Sequence, residues 1–145
     1  NSVFQLIGDG GVQRSVEALA GSESIRSLRR DALESAMTEA LRKNGSFELL
    51  YCTDDKGTQI VSNIGRGKLG IESDGRTLGK DWSTRPWFVQ PVELGGTAVS
   101  EVYVSSATGE NCITVSTPIF GAQGALLGVL AADINLGRAL ERASC

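Results

Sequence analysis

Apolar residues recur at helical spacing in the first third of the chain. Val12, Val16 and Leu19 share one side of a helix that Gly21 ends, which predicts a short amphipathic segment. Over residues 24–43 apolar positions again follow steps of three and four, with the charged residues largely off the stripe. Basic residues in the last turn and a following Asn-Gly pair are typical of a helix C-terminus. The pattern therefore predicts a second, longer helix.

Strand-forming residues replace the helical pattern after residue 45. Five runs rich in β-branched, aromatic and alternating apolar residues occupy positions 47–53, 58–61, 99–105, 111–117 and 126–134. The last run is the most apolar, which predicts a central strand. Residues 64–82 are glycine-rich and have no sustained period, which predicts a long irregular segment of the kind that covers a binding site. Together these runs predict an α+β domain with an antiparallel five-stranded sheet, followed by a helix over residues 136–143.

Composition and charge narrow the class of protein. The chain has 145 residues, of which 41% are hydrophobic and 21% charged, as expected for one globular domain. Its net charge of −3 supplies no positive field, so no nucleic-acid partner is expected. The longest apolar run, residues 125–132, has about eight residues against the roughly 20 that span a bilayer, so none of this sequence is expected to cross a membrane.

The absence of histidine limits the candidate chemistry. Histidine is the usual general base near neutral pH and the commonest ligand of zinc, haem and copper. No G-x-S-x-G motif and no spaced carboxylate set compensates for it, so we expect neither an enzyme nor a bound cofactor or metal. Cys52, Cys112 and Cys145 are too far apart for a C-x-x-C motif. We expect Cys52 and Cys112 to be packing residues, with a bridge or a reactive thiol as the alternatives.

The segment 79–88 concentrates the residues suited to ligand binding. It holds both tryptophans of the chain together with Arg85 and Phe88. A guanidinium between aromatic rings pairs bidentately with a small carboxylate, while the rings exclude water. The same residues could equally cap the hydrophobic core, with Arg85 in solvent. Tyr103 and Asp133 could join Arg85 in a cleft as a hydroxyl and an ammonium acceptor, or serve only as an edge-strand aromatic and a helix cap.

The order of several motifs resembles one known family. After the long helix come a strand with a D-x-x-G turn at 50–60, D-W-S-T-R-P-W-F at 81–88, Tyr103, I-T-V-S-T-P-I at 113–119 and G-V-L-A-A-D-I at 128–134. This order resembles that of the Cache (PDC, extracellular PAS-like) sensor domains. The resemblance covers most of residues 24–136, and its specific part is R-P-W-F followed by a strand tyrosine and the closing motif.

The resemblance implies a PAS-like fold, with a central five-stranded antiparallel sheet and a long N-terminal helix. Residues 1–23 would be a helical lead-in, 24–136 a single sensor domain and 137–145 a segment that leads out of it. It also implies the extracytoplasmic, periplasmic part of a bacterial inner-membrane receptor: a chemoreceptor, a histidine kinase or a cyclic-di-GMP enzyme. Such a receptor would be attached through flanking membrane helices and would be a homodimer, with helix 24–43 as the candidate interface.

Amino-acid-binding members of the family hold the ligand with a Tyr five residues before an Arg, an Arg-x-Trp-Tyr motif, a strand Tyr and a late Asp. Four residues match this pattern, namely Arg85, Trp87, Tyr103 and Asp133. Lys80 and Phe88 occupy the two positions at which the family has tyrosine. Lys80 would either add a second cation, which would favour a di- or tricarboxylate, or point to solvent. The expected ligand is a small carboxylate or an amino-acid-like molecule. The predicted ligand-binding residues are Lys80, Trp82, Arg85, Trp87, Phe88, Tyr103 and Asp133.

Two other interpretations stay open. A cytoplasmic PAS-type module would bind a partner protein or a flat cofactor, although the chain offers no histidine for haem and no evident flavin-adduct cysteine motif. A Cache-like domain without a ligand would act only as a dimerisation or interaction module. Substitution of Arg85 separates a ligand-binding domain from a ligand-free one, and the location of the full-length protein separates both from a cytoplasmic module.

Overall fold

Five α-helices and seven strands make up the part of the chain that the computed structural model describes, residues 10–106 and 108–144, the last four as backbone only. The helices are α1 (Gly11–Ala20), α2 (Glu23–Arg26), α3 (Arg30–Lys43), α4 (Pro86–Leu94) and α5 (Leu136–Ser144). The strands are β1 (Phe47–Asp54), β2 (Asn63–Gly67), β3 (Gly70–Asp74), β4 (Ala98–Val99), β5 (Tyr103–Val104), β6 (Asn111–Phe120) and β7 (Leu126–Asn135). The first nine residues of the predicted lead-in, and Cys145, lie outside this range. No helix in it is long and apolar enough to cross a membrane.

All seven strands join one antiparallel sheet in the order β3-β2-β1-β7-β6-β4, with β5 also paired to β6. The predicted α+β class is confirmed. β7 lies between β1 and β6, so the prediction that the most apolar strand is central is confirmed too. Helices α1, α2 and α3 cover one face of the sheet, where their buried residues form one core with those of the strands. Helix α4 packs near β4 and β6.

Side-chain alternation along the strands separates a helix-covered face from a face that carries cavities. On β1, Leu50 belongs to the hydrophobic core, whereas its neighbour Tyr51 lines a cavity. On β6, Val115 belongs to the core, whereas Thr114 lines a second cavity. The alternation predicted for residues 111–117 is therefore confirmed, and its smaller, more polar face is the one available to a ligand.

The helix predicted over residues 24–43 is broken, and this part of the prediction is wrong. Leu28 adopts the left-handed conformation, with φ of 53°, between α2 and α3. The Ser27 hydroxyl donates to the Ser24 carbonyl and accepts from the Arg29 amide, so a side chain replaces helical backbone bonds at the break. Ile25 and Leu28 nevertheless pack on the core, which is why the apolar spacing continues through the break.

The loop predicted over residues 64–82 contains a hairpin, which is a second correction. β2 and β3 pair within it, and β2 pairs with β1. The predicted strand 58–61 does return along the end of β1, but only through an isolated bridge and the hydrogen bonds from the Asp54 amide to the Thr58 carbonyl and from the Ile60 amide to the Cys52 carbonyl. The two glycines of β2 weaken its strand pattern, and at Gly65 the neighbouring strand is close: a Cβ there would lie 2.7 Å from Leu49 Cδ1 and 3.2 Å from the Glu48 carbonyl oxygen. With 99–105 split into β4 and β5, the sheet has seven strands instead of five.

Helix α4 is an element that the apolar pattern does not predict. It contains prolines at positions 86 and 91, which weaken any helical reading of this segment. Pro86 occupies the first turn, where its missing amide hydrogen costs no helical bond, and Gly95 ends the helix with φ of 65°. The helix thereby places Trp87 one residue after its N-terminal proline, above the open face of the sheet.

The two predicted packing cysteines lie on strands that do not pair with each other. Cys52 on β1 and Cys112 on β6 are both buried and free, and β7 lies between their strands. Burial raises the pKa of the Cys52 thiol to about 12, so it stays protonated and unreactive at physiological pH. Both behave as small packing residues.

Arg66 on β2 connects the sheet to the end of α3. Its Nε donates to the Phe47 carbonyl at 2.8 Å, and its Nη2 donates to the carbonyls of Leu41 and Asn44 at 2.5 and 2.9 Å. The last carbonyls of a helix have no partner inside the helix. One guanidinium therefore satisfies the C-terminus of α3 and fixes the turn into β1.

Arg66→Met is expected to lower the free energy of unfolding by about 1–3 kcal/mol, because it keeps the stem but leaves partly buried carbonyls without a donor. Urea denaturation of the purified domain measures this change. Arg42→Met, which removes an exposed cation from the last turn of the same helix, is the control. Equal stability of the two variants would contradict this role of Arg66.

Candidate functional site

A cavity of about 210 Å³ opens on the face of the sheet opposite the core. Strand residues form its floor, and the segment before α4 forms its wall. Its lining consists of Leu49, Tyr51, Gln59, Asn63, Thr77, Trp82, Trp87 and Asp133. The described residues include no group of three or more His, Cys, Asp or Glu that could hold a metal ion. The cavity is suited to a small organic molecule.

Among the described residues that line this cavity, Asp133 on the central strand is the only acidic one, and none is cationic. Its Oδ1 accepts hydrogen bonds from the Tyr51 hydroxyl at 2.7 Å and from Thr114 Oγ1 at 2.9 Å. Tyr103 lies 2.9 Å from Thr114 Oγ1 and must be the donor there, because the single hydroxyl proton of Thr114 is already given to Asp133. Hydroxyl groups thus anchor the carboxylate through Oδ1, and no positive charge among these residues neutralises it.

Burial governs the ionisation of this cluster. It raises the pKa of Asp133, an effect that the hydrogen bonds from Tyr51 and Thr114 oppose. Burial and the nearby Asp133 charge raise the pKa of the Tyr51 hydroxyl well above its usual range. The same two effects raise the pKa of the Tyr103 hydroxyl. Both phenols therefore remain neutral donors. A desolvated carboxylate with no cationic side chain among the described residues of its cavity is a good acceptor for an ammonium group.

Aromatic rings form the walls around Asp133. Tyr51 and Trp87 make an edge contact, with ring centroids 4.9 Å apart. Trp82 and Trp87 are tilted at 53° to each other, with centroids 5.9 Å apart. Such walls exclude water and strengthen an electrostatic contact inside the cavity. The chain has only these two tryptophans, so its tryptophan fluorescence reports directly on this cavity.

A buried glutamine holds Trp82 in place. The indole Nε1 donates to Gln59 Oε1 at 2.9 Å, and Gln59 Nε2 donates to the Val61 carbonyl and to Asn63 Oδ1. Asn63 Nδ2 in turn donates to Thr77 Oγ1 at 3.3 Å. Gln59 is only 2% exposed and uses all of its amide groups. This network fixes the segment before α4 against the end of β1.

Two cations stand at the rim of the cavity. Lys80 Nζ lies 4.4 Å and Arg85 Cζ 5.6 Å from the centroid of the Trp82 ring. Both side chains are exposed, and neither lines the cavity itself. The structure does not place Arg85 in the cavity of Asp133. The two are connected through Trp82, which lies beside both cations and also lines that cavity.

A second cavity, of about 450 Å³, adjoins the first. Trp87 lines both, and the hydrogen bonds from Tyr103 through Thr114 to Asp133 run from one to the other. Its remaining lining comes from α4, from residues 98–102 and from β6. Together the two cavities form a space that Trp87 borders on both sides, and Asp133 lines its smaller part.

The structure divides the seven predicted ligand-binding residues into three groups. Trp82, Trp87, Tyr103 and Asp133 line one or both cavities. Lys80 and Arg85 stand at the rim. Phe88 is 7% exposed and lines neither cavity, so for this residue the structure matches the alternative of a hydrophobic plug.

Sequence reasoning missed several residues of the site. Tyr51 lies in the predicted first strand, and its alternation with the buried Leu50 and Cys52 is the signal that places it on the open face of β1. Gln59 and Thr77 lie in segments interpreted as a strand and a loop, and no periodic pattern marks them. Only their hydrogen bonds in the folded chain identify them as part of the wall.

Comparison with known proteins places these features in context. The profile of the family described as methyl-accepting chemotaxis protein-like, first PDC sensor domain, matches residues 31–140. A citrate (Re)-synthase of Syntrophus aciditrophicus is 26% identical over 113 residues, which are 78% of this chain and 18% of that protein. The chain thus spans about a fifth of that curated relative.

Solved chemoreceptor domains have the same fold. The ligand-binding domain of the Campylobacter jejuni chemoreceptor Tlp3 in complex with 4-methylisoleucine aligns with a TM-score of 0.69 at 16% identity, over 93% of this chain and 55% of that one. The domain of the Pseudomonas aeruginosa amino acid chemoreceptor PctC in complex with GABA aligns with a TM-score of 0.68 at 22% identity, over 94% and 56%. The chain spans little more than half of either domain.

The raised pKa of Asp133 predicts a pH-dependent stability. The folded state binds this proton more tightly than the unfolded state, so the contribution of Asp133 to the free energy of unfolding falls as pH rises through its raised pKa. Asp133→Asn removes the charge and keeps an acceptor for Tyr51. The unliganded variant is expected to be more stable than the parent at neutral pH, and the difference should shrink as the solution is acidified.

Urea denaturation of both proteins between about pH 4 and pH 7 measures that difference. Asp55→Asn, in the exposed turn after β1, controls for the loss of a surface carboxylate. A parent that gains stability relative to Asp133→Asn as pH rises would contradict the assignment of a destabilising buried charge.

Proposed function

The chain belongs to the methyl-accepting chemotaxis protein-like PDC sensor domains, and from this premise we propose that its cavity binds an amino acid or a related small aminocarboxylate. Two structures of the same fold, Tlp3 and PctC, were solved with 4-methylisoleucine and GABA, which both combine an amine with a carboxylate. A sensor domain recognises a signal, in agreement with the expectation that this domain is not an enzyme.

Asp133 is the observation that carries the proposal. Its carboxylate is buried among aromatic rings and held through Oδ1 by two hydroxyls, and no cationic side chain is among the described residues that line its cavity. An ammonium group in the cavity would supply a counter-ion and compensate the desolvated charge. The site therefore gains most from a ligand that carries a primary amine.

The ligand's carboxylate is assigned to the cations at the rim. Arg85 presents a planar fork that pairs bidentately with a carboxylate, and Lys80 adds a second positive charge beside the same indole ring. Both lie outside the cavity lining of the unliganded chain. Binding therefore requires the segment 79–85 to turn these side chains inward over the ligand.

Transmission of the signal is assigned to the end of β7. Two residues after Asp133, the buried Asn135 ends β7 and caps the first turn of α5: its Oδ1 accepts from the Arg138 amide at 3.1 Å, and its Nδ2 donates to Glu110 at 3.0 Å. Arg138 also pairs with Glu48 on β1 at 2.9 Å. A ligand that binds one position of β7 more tightly than another shifts the equilibrium between two positions of α5, at most by the ratio of its affinities for the two states.

The wider receptor is proposed on the family alone. We assign the domain to the extracytoplasmic side of a bacterial membrane receptor, as a homodimer whose output is a chemoreceptor, histidine kinase or cyclic-di-GMP module. The apolar stripe of α3 already packs on the sheet through Leu33, Met37 and Leu41. A dimer contact through α3 would therefore use its charged outer surface.

Ligand binding is tested by titrating the domain with amino acids, GABA and small dicarboxylates, using tryptophan fluorescence and calorimetry. Asp133→Asn and Arg85→Ala should each weaken a bound aminocarboxylate by about 2 kcal/mol or more, roughly thirtyfold in Kd. Asp55→Asn and Arg29→Ala, at exposed positions away from the cavities, should leave Kd unchanged.

Two results would refute this assignment. Binding that survives both substitutions would place the ligand elsewhere, and absence of binding across the panel would favour the ligand-free interaction module. Small carboxylates that bind without an amine, and lose affinity only in Arg85→Ala, would move the recognition from Asp133 to the rim.

Location is tested on the full-length protein. In spheroplasts, protease added from outside is expected to cleave a tag inserted at the exposed β2–β3 turn next to Leu69, which is 96% exposed. A cytoplasmic marker protein serves as the control for intact membranes. Protection of the tag until the membrane is lysed would favour the cytoplasmic PAS-type module.

A further inference from the structure

The second cavity is larger than an amino acid's amine and carboxylate require. It holds about 450 Å³ beside the 210 Å³ around Asp133, and Trp87 is the wall common to both. Thr114 lines it and donates to Asp133 Oδ1. A ligand whose amine meets Asp133 would therefore direct its side chain past Thr114 into this space. Its volume favours a long side chain over that of a small amino acid.

The lining of the second cavity is amphipathic. Ala98, Val99 and Val102, together with the ring of Trp87, supply apolar surface for a methylene stem. Further out, the lining carries hydrogen-bonding side chains, including Gln90 and Ser100. This combination suits a flexible apolar chain that ends in a polar group, and it suits a wholly apolar side chain less well.

Among the described residues that line the second cavity, Glu101 is the only charged one, and none is lysine or arginine. The backbone beside Glu101 is fixed to β6. The Ser100 amide donates to the Thr114 carbonyl at 2.9 Å, the Thr114 amide donates to Ser100 Oγ at 2.8 Å, and Ser100 Oγ donates to the Glu101 carbonyl at 2.9 Å. The carboxylate is exposed at the mouth, and its charge favours a cation there.

We propose that the second cavity receives the cationic end of the ligand's side chain, with Glu101 as the residue that determines this preference, so that long basic amino acids of the lysine and ornithine class are the preferred ligands. This inference rests on the proposed amino-acid site at Asp133. The charges of the protein then alternate along the ligand. The rim cations face its carboxylate, Asp133 faces its α-amine, and Glu101 faces its terminal amine.

L-Lysine and L-norleucine provide a direct test, because the two share a four-carbon stem and differ in the terminal ammonium group. The parent domain is expected to bind L-lysine up to about fivefold more tightly than L-norleucine, the upper limit for an exposed ion pair. Raising the salt concentration should reduce the preference. Tryptophan fluorescence titration measures both dissociation constants.

Glu101→Gln assigns the preference to one residue. It should weaken L-lysine to the affinity of L-norleucine and leave L-norleucine unchanged. Glu93→Gln removes the same charge from an exposed position of α4 that lines neither cavity, and it should preserve the preference. A preference lost equally in both variants would reflect net charge only and would overturn the role of Glu101.

The remaining outcomes separate this inference from the proposed function. L-norleucine binding as tight as L-lysine, and abolished by Asp133→Asn, would overturn the basic-ligand inference while keeping the amino-acid site. Failure of every amino acid to bind would refute the site itself, and the inference with it.

Discussion

The buried carboxylate of Asp133 is the constraint around which this domain is organised. It lies on the central strand of the sheet, paired with Leu49 of β1 on one side and Thr114 of β6 on the other. An ionised group there needs donors, and both neighbouring strands supply one: Tyr51 from β1 and Thr114 from β6. The register of three strands thus has to be correct for one charge to be tolerated. The face of the sheet that carries it remains open, whereas the opposite face is closed by three helices.

The parts of the fold that follow periodicity were predictable from sequence. The central position of β7, the helix after it and the alternation along β6 all follow from runs of apolar residues whose spacing is regular. The β2–β3 hairpin was not predictable because its strands contain glycines, one of which lies close to Leu49 of β1. The helix break at Leu28 was not predictable from sequence, because a single residue in the left-handed conformation leaves the apolar spacing intact. Local backbone events of this kind leave no periodic trace.

The candidate site was predictable in part, and for a different reason. The high density of aromatic and charged residues identified the segment 79–88, but it does not indicate which of their side chains reach a cavity. Trp82 and Trp87 line the cavity of Asp133, whereas Phe88 is buried elsewhere and Arg85 lies at the rim. Gln59 positions the wall of the cavity through its side-chain hydrogen bonds with Trp82 and Asn63. Polar positioning residues are visible only once strands and loops have come together.

Charge separation within the site links binding to conformational change. Asp133 lies deep and is desolvated, whereas Arg85 and Lys80 remain in solvent beside Trp82. The two signs therefore do not neutralise each other in the unliganded chain, and the buried charge retains its cost. Under the proposed function an aminocarboxylate would bridge the gap, because its amine would reach Asp133 while its carboxylate would draw the rim cations inward. Such a ligand would bind the closed state more tightly than the open state, and this difference in affinity is what any ligand needs in order to shift their populations. Asp133 lies three residues before the first residue of α5, so the proposed closure would reach the end of the domain through the strand that bears the ligand.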